Sequence, residues 1–289
     1  MSRIELIDIE YYHGKDTPYE IHALKNINIS IPEGQITGII GHTGSGKSTL
    51  VQLFNGILKP HSGKVMIDSE DIWQKPKQIK RFRYKVGLVM QYPEYQLFED
   101  TVYKDIAYGP KNMGLSDEET DDRVKEAAAF AGLDAELLER SPFDLSGGQK
   151  RRAAIAGIIA MRPDVLVLDD PAAGLDPRGR DSIFSNIREY QKTLNTTVII
   201  VSHSMEDMAR LCDSLIVMHD GAIAMTGRCD EVFSKADELV KMGLDIPQIT
   251  KVMQLLSEKG IDVPIGIYTV EQAVEFLNTL RKTEKEALQ

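Results

Sequence analysis

The octet Gly41-His42-Thr43-Gly44-Ser45-Gly46-Lys47-Ser48 constrains this chain more than any other stretch. It fits G-x-x-x-x-G-K-[ST], follows the apolar run Ile36 to Ile40, and leads into Thr49-Leu50-Val51, which opens a helix. Strand, glycine-rich loop and helix in that order make a phosphate cradle. Glycines let backbone N–H groups turn inward around the β- and γ-phosphates, Lys47 supplies a mobile point charge, and the helix N-terminus adds its dipole. The Ser48 hydroxyl is suited to Mg²⁺. Gly41, His42, Thr43, Gly44, Ser45, Gly46, Lys47, Ser48 and Thr49 are therefore the expected ATP-binding set.

A loop of this kind needs a sheet behind it, and the chain supplies one. From Ile4 to about Thr226, short apolar runs alternate with helical stretches, the pattern of a doubly wound α/β core. The strand candidates are Ile36 to Ile40, Val86 to Met90, Val165 to Leu168, Val198 to Val201 and Leu215 to Met218, each apolar throughout, as parallel strands covered on both faces are. Asp169 directly follows the third of these, so it emerges at the carboxyl end of a buried strand, where open α/β sheets bind ligands. That position suits Asp169 to hold Mg²⁺ and the adjacent Asp170 to orient an attacking water. His203 reaches the same crest, with only Ser202 between it and the strand ending at Val201.

Between Gln91 and Ser146 the texture changes to a helical insert, with Ser116 and Glu119 forming a capping box ahead of an acidic, Ala-rich helix. After Gly227 the strand signals stop. Two amphipathic helices follow, one carrying Ile249, Val252, Met253 and Leu256, the other Val270, Ala273, Val274, Leu277 and Leu280, with Thr269 and Gln272 capping the second. The expected spans are a core at 1–227, with its insert at about 92–150, and a C-terminal helical domain at 228–289. Its apolar stripes either pack onto the main body or form a partner surface.

Composition narrows the function. Lys and Arg number 34 against 44 Asp and Glu, and a net charge of −10 repels a nucleic-acid backbone. No apolar stretch approaches the roughly 18 to 20 residues of a membrane span, and Ile155 to Met161 is bounded by Arg152 and Arg162. Any membrane role is thus expected to be peripheral. The first residues carry no basic-then-apolar signal, and Cys212 and Cys229 have no metal-like spacing, which points to a reducing cytoplasm.

Leu145-Ser146-Gly147-Gly148-Gln149 sets a hydroxyl and two glycines before a helix-like run, making a second anion site with Ser146 as N-cap. One chain with one phosphate loop then has a surplus of phosphate binders. A dimer resolves it, each chain's second site closing over the nucleotide held on the other.

Together these motifs resemble those of the ABC-transporter ATPases over residues 4–227. The resemblance implies a P-loop NTPase core with a mostly parallel sheet, an ABC helical insert and a small C-terminal helical domain. It implies that Gln91 is a sensor of Mg²⁺ and γ-phosphate, so that Ser48, Gln91 and Asp169 form the Mg²⁺ set and Asp170, His203 and Gln91 the catalytic set. Ser146, Gly147, Gly148 and Gln149 match the signature that contacts ATP in trans, and Gly174-Leu175-Asp176 the loop running between the two sites. Two positions depart from the family pattern. Asp170 stands where Glu is usual, drawing the carboxylate back by about 1.5 Å. His13 occupies the register of an adenine-stacking Tyr, with Tyr12 as the alternative.

Within that family, the stretch from Gln91 to Val102 and on to Pro110 is similar to the ATPases of energy-coupling factor importers for vitamins and transition metals, as is the helical tail. Thr17-Pro18-Tyr19-Glu20 resembles the second of that system's two paralogous ATPases. The resemblance implies three partners: a second ATPase chain, a transmembrane scaffold and a substrate-binding membrane subunit, met at the cytoplasmic face of the cell membrane. Tyr92, Tyr95, Leu97 and Phe98 crowd a stretch broken by Pro93, which suits a groove that receives another protein's helix. Filling the seam between core and insert is the alternative for those four side chains. Two other functions compete. A soluble ATPase acting on nucleic acid or ribosomes would carry a coiled coil or a second cassette, and neither is present. A dimerising switch with little turnover is motivated by Asp170.

Overall fold

All five apolar runs are strands of one sheet. The computed structural model of the chain describes residues 2–264 and 266–287, so the outermost ends of the two expected spans, residue 1 and residues 288–289, lie outside the described residues. Two long strands, β1 (Ser2–His13) and β2 (Ile21–Pro32), pair antiparallel and are joined by β4 (Ser62–Ile67) and β5 (Glu70–Asp71) in the order β2-β1-β4-β5. The main sheet contains β3 (Ile36–Gly41), β6 (Val86–Val89), β7 (Val165–Asp169), β8 (Thr197–Val201), β9 (Ser214–His219) and β10 (Ala222–Arg228). Its order is β10-β9-β3-β8-β7-β6, with parallel pairing from β9 to β6 and an antiparallel hairpin between β9 and β10.

Successive strand residues face opposite sides. Leu166, Leu168, Val198 and Ile200 join a core shared with the helices, whereas Val165, Val167, Ile199 and Val201 join one shared with the antiparallel sheet. Both faces are covered, which is why no alternation is visible in these runs. The antiparallel sheet is an addition to the expected doubly wound plan. Its period-two signal is interrupted by register shifts between Leu6 and Ile9 and by left-handed residues Asp8 and Asn26, so the alternation in β1 and β2 never runs far enough to read.

Helix α1 (Lys47–Phe54) follows the phosphate loop, and α2 (Ile79–Lys85) precedes β6. The insert is built from α3 (Val102–Met113), α4 (Asp117–Ala131) and α5 (Gly147–Ile159), with the capping box of Ser116 and Glu119 in place. Helices α6 (Pro177–Leu194) and α7 (Met205–Leu211) complete the main body.

Beyond it come α8 (Cys229–Phe233), α9 (Ala236–Lys241), α10 (Gln248–Glu258) and α11 (Val270–Ala287). The main core runs past residue 227: Val232, Phe233, Leu239 and Ile246 all belong to it. A separate small cluster holds Met253, Ile267 and Ala273, flanked by Ile249, Leu256 and Phe276. The expected stripes divide accordingly, since Val252, Val270, Val274 and Leu277 stay exposed. Thr269 and Gln272 cap α11 reciprocally. Among the described residues, no helix is long and apolar enough to cross a membrane.

Candidate nucleotide-binding site

Gly41 closes β3 where nothing larger fits, because a Cβ there would stand 2.5 Å from the Met218 carbonyl oxygen and 2.5 Å from Ser45 Oγ. Gly46 has a φ of 100°, a conformation glycine adopts without penalty, and hands the chain to α1. Lys47 is buried, and its Nζ donates to the carbonyls of Gly41 at 2.7 Å and His42 at 3.0 Å. Burial lowers its pKa, and the Asp169 and Asp170 carboxylates pull the other way.

Asp169 ends β7 and is 8% exposed. Burial raises its pKa and Asp170 adds to the rise, while the Ser48 hydroxyl, Lys47 and His203 oppose it. Asp170 takes a left-handed φ of 52°, and its N–H donates to the Val201 carbonyl at 2.9 Å. Short polar side chains are enriched in that region, which gives the departure from Glu a local reason.

One cleft of about 680 Å³ collects these groups. Thr43, Gly44, Gly46, Lys47, Ser48 and Thr49 line it together with Gln91, Asp169, Asp170 and His203, whereas Gly41 and Ser45 are buried behind the loop and His42 turns toward Asp220. Ser48, Asp169 and Gln91 offer oxygen donors, the set a hard cation such as Mg²⁺ takes. At the far end lie His13, Ile21, His22 and Ala23, with His13 Nε2 3.0 Å from Thr49 Oγ1. Tyr12 does not line the cleft; its ring stacks on His22 at 4.1 Å, with Lys15 Nζ 5.5 Å from its centroid. Of the two candidates for the base, His13 is the one in the cleft.

None of Ser146, Gly147, Gly148 and Gln149 lines this cleft. Ser146 N-caps α5 in a capping box with Gln149, and a Cβ at Gly147 would meet nothing within 4 Å. Asp176 caps α6, its carboxylate accepting the Gly179 N–H at 2.6 Å.

Tyr92, Tyr95 and Phe98 are exposed and so do not fill the seam, while Leu97 is half-buried against the core. Leu97, Phe98, Tyr84 and Tyr108 wall a second cleft of about 470 Å³, floored by Gly109, Ala153, Ala154 and Gly157. Asp105 shapes its lip by accepting the N–H groups of Phe98 and Glu99, each at 3.2 Å. Tyr92 and Tyr95 stand outside it.

Two residues that the motifs did not single out bind these regions together. Arg151 is 3% exposed and reaches Glu94 in a fork, Nε to Oε2 at 3.1 Å and Nη2 to Oε1 at 2.8 Å, while Nη1 donates to the Ala173 carbonyl. The signature helix, the segment after Gln91 and the loop before Asp176 thus share one guanidinium. A sequence signal existed: Arg151 stands four and eight residues before Ile155 and Ile159, on the buried face of α5.

Comparison with known proteins agrees with this geometry. The profile of the ABC transporter family matches residues 24–173. An energy-coupling factor transporter ATP-binding protein EcfA2 of Caldanaerobacter subterraneus subsp. tengcongensis is 51% identical over 282 residues, 97% of this chain and 99% of that protein. One from Clostridium acetobutylicum is 51% identical over 98% of this chain and 99% of its own length. Among solved structures, cbiO1 of Clostridium perfringens, part of the ABC transporter complex cbiONQ, superposes with a TM-score of 0.74 at 40% identity, covering 88% of this chain and 99% of its own. The ATP-binding cassette MJ0796, solved as a dimer in a post-hydrolysis state with ADP and Pi, gives 0.71 at 28% identity, covering 78% of this chain and 98% of its own.

Proposed function

The chain belongs to the ATP-binding subunits of energy-coupling factor transporters, within the ABC transporter family, and on that footing we propose how its residues drive import. Two such chains, this one and a paralogue, close on ATP. Lys47 leaves the carbonyls of Gly41 and His42 for the β- and γ-phosphates, and His13 stacks on the base. Ser48, Asp169 and Gln91 would hold Mg²⁺, which would neutralise charge on the phosphate oxygens. Asp170 accepts a hydrogen bond from the attacking water and aligns it on the γ-phosphorus, and His203 donates to a γ-phosphate oxygen. The water oxygen bonds the γ-phosphorus as its bond to the β,γ-bridging oxygen breaks; ADP leaves with that oxygen and its electron pair, and inorganic phosphate and the water's proton are released.

The partner's signature completes this site, and Ser146 to Gln149 complete the partner's. One observation carries the reading: Lys47, Ser48, Gln91, Asp169 and His203 converge on a single cleft from which the chain's own signature is absent. Arg151 passes closure from the signature helix to Glu94 and so to the docking face, where Leu97 and Phe98 receive a helix of the transmembrane scaffold. The scaffold in turn engages the substrate-binding membrane subunit, and this chain sits peripherally on the cytoplasmic face.

The test is to replace Tyr95, Leu97 and Phe98 by Ser. The variant should bind ATP as the parent does and lose the membrane subunits on detergent purification. Retention of those subunits at parental yield refutes the docking assignment.

A further inference from the structure

The turn between β9 and β10 carries groups that nucleotide chemistry does not use. His219 ends β9, and Asp220 and Gly221 form a two-residue connection with φ of 47° and 81°. Such left-handed pairs match the twist of a hairpin and make a rigid support. The turn is also pinned: Gly221 N–H donates to the Ser45 carbonyl at 3.2 Å, and the Gly221 carbonyl accepts the Lys25 N–H at 2.8 Å. It is thereby held against the phosphate loop, and His42 of that loop faces it.

Nε2 of His42 lies 3.3 Å from one carboxylate oxygen of Asp220, and Nε2 of His219 lies 3.5 Å from the other. The two imidazoles meet edge to face with centroids 5.1 Å apart. One donor atom from each of the three residues falls within 4.8 Å of the other two. The tautomer of His42 is fixed as well. Its Nδ1 sits 2.9 Å from the Thr43 carbonyl, which can only accept, so Nδ1 carries the proton, and Nε2 accepts the Asp220 backbone N–H at 3.3 Å, a bond that an ion on that lone pair would displace. An imidazole oriented on its far side by a carbonyl is the usual arrangement of a metal-binding histidine.

Two imidazoles and one carboxylate suit Zn²⁺, Co²⁺ or Ni²⁺ far better than Mg²⁺, which takes oxygen. From this geometry we infer that His42, His219 and Asp220 form a binding site for a divalent transition-metal ion, with three protein ligands and an open position toward solvent. The ion joins the phosphate loop to the hairpin turn at the rim of the nucleotide cleft, which Asp220 also lines. It is separate from the oxygen set of Ser48 and Asp169. Its affinity is bounded by one feature: Nδ1 of His219 is buried without a partner, and a missing outer hydrogen bond weakens metal binding about 10- to 100-fold. The site is therefore weaker than one whose imidazoles are all oriented on the far side. The two cysteines, Cys212 and Cys229, are both buried.

The experiment titrates the full-length, untagged, chelator-stripped chain with Co²⁺ in excess Mg²⁺. It follows the visible band of four-coordinate cobalt and then its displacement by Zn²⁺. The expected result is one Co²⁺ per chain, displaced by one Zn²⁺, with affinity lowered at least about tenfold in His219→Asn and again in Asp220→Asn. Zn²⁺ should raise the unfolding midpoint of the parent and leave that of His219→Asn unchanged. Far-UV circular dichroism identifies which variants are folded, and either folded variant suffices. Absence of the band, or equal Co²⁺ affinity in parent and folded variant, overturns the assignment.

Discussion

Replacing Arg151 by Met removes a charge from a place where its partner cannot recover water. The Arg151 side chain is 4% exposed and that of Glu94 16%, and the pair joins segments 57 residues apart. Breaking a buried ion pair by removing one member costs about 3–5 kcal/mol, because the survivor stays buried and uncompensated. The residual exposure of Glu94 puts Arg151→Met at the low end, about 3 kcal/mol, and Glu94→Gln near the same value. Making both changes leaves no stranded charge, only the Ala173 carbonyl without its donor, a loss of about 1–3 kcal/mol. The double variant should thus lie about 1–3 kcal/mol below the parent, giving a coupling energy of about 3–5 kcal/mol. Equilibrium urea unfolding of the nucleotide-free chain, followed by circular dichroism for all four members of the cycle, measures it. A coupling within about 0.5 kcal/mol of zero, the range of independent sites, refutes the claim that this pair holds the three regions together.

Asp170→Glu should preserve or raise turnover in the assembled transporter, at a small loss of stability from a longer side chain at φ 52°, while Asp170→Asn lowers turnover; steady-state ATPase assays decide, and a strong loss on Asp170→Glu would show a site built around the shorter carboxylate. Asp169→Asn should stabilise the nucleotide-free chain at neutral pH. The folded-state pKa of Asp169 is raised, so the wild-type chain loses stability as pH climbs from the ordinary carboxylate value through the raised one. The advantage of Asn should accordingly vanish below that window, and urea midpoints across acid to neutral pH test it; an advantage that grows toward acid contradicts the sign.

The parallel sheet was legible because each of its strands is covered on both faces, so apolar runs such as Val165 to Leu168 have no polar interruptions to confuse with helix. The phosphate loop was legible because its glycines answer to backbone geometry, which one motif encodes. The antiparallel sheet was not, since bulges near Asp8 and Asn26 break the alternation that would have announced it. Arg151 and Glu94 stayed hidden for another reason: a charged residue at helical spacing reads as solvated surface until packing turns it inward. His13 and Tyr12 could be separated only once the β1 pleat and the stack of Tyr12 on His22 were fixed. The tail divided differently from its expected stripes because Val252 on the first and Val270, Val274 and Leu277 on the second are left uncovered within a single chain.

This chain works as the ATP-hydrolysing motor of a membrane assembly. The most direct measurement of that role is ATP hydrolysis by the complex purified through this chain in mild detergent, with the parent and with Lys47→Ala. A second ATPase chain and a transmembrane subunit should co-purify, and ATPase activity should fall sharply when Lys47 can no longer meet the β- and γ-phosphates. A chain that purifies alone, or a complex whose turnover is untouched by Lys47→Ala, would contradict it.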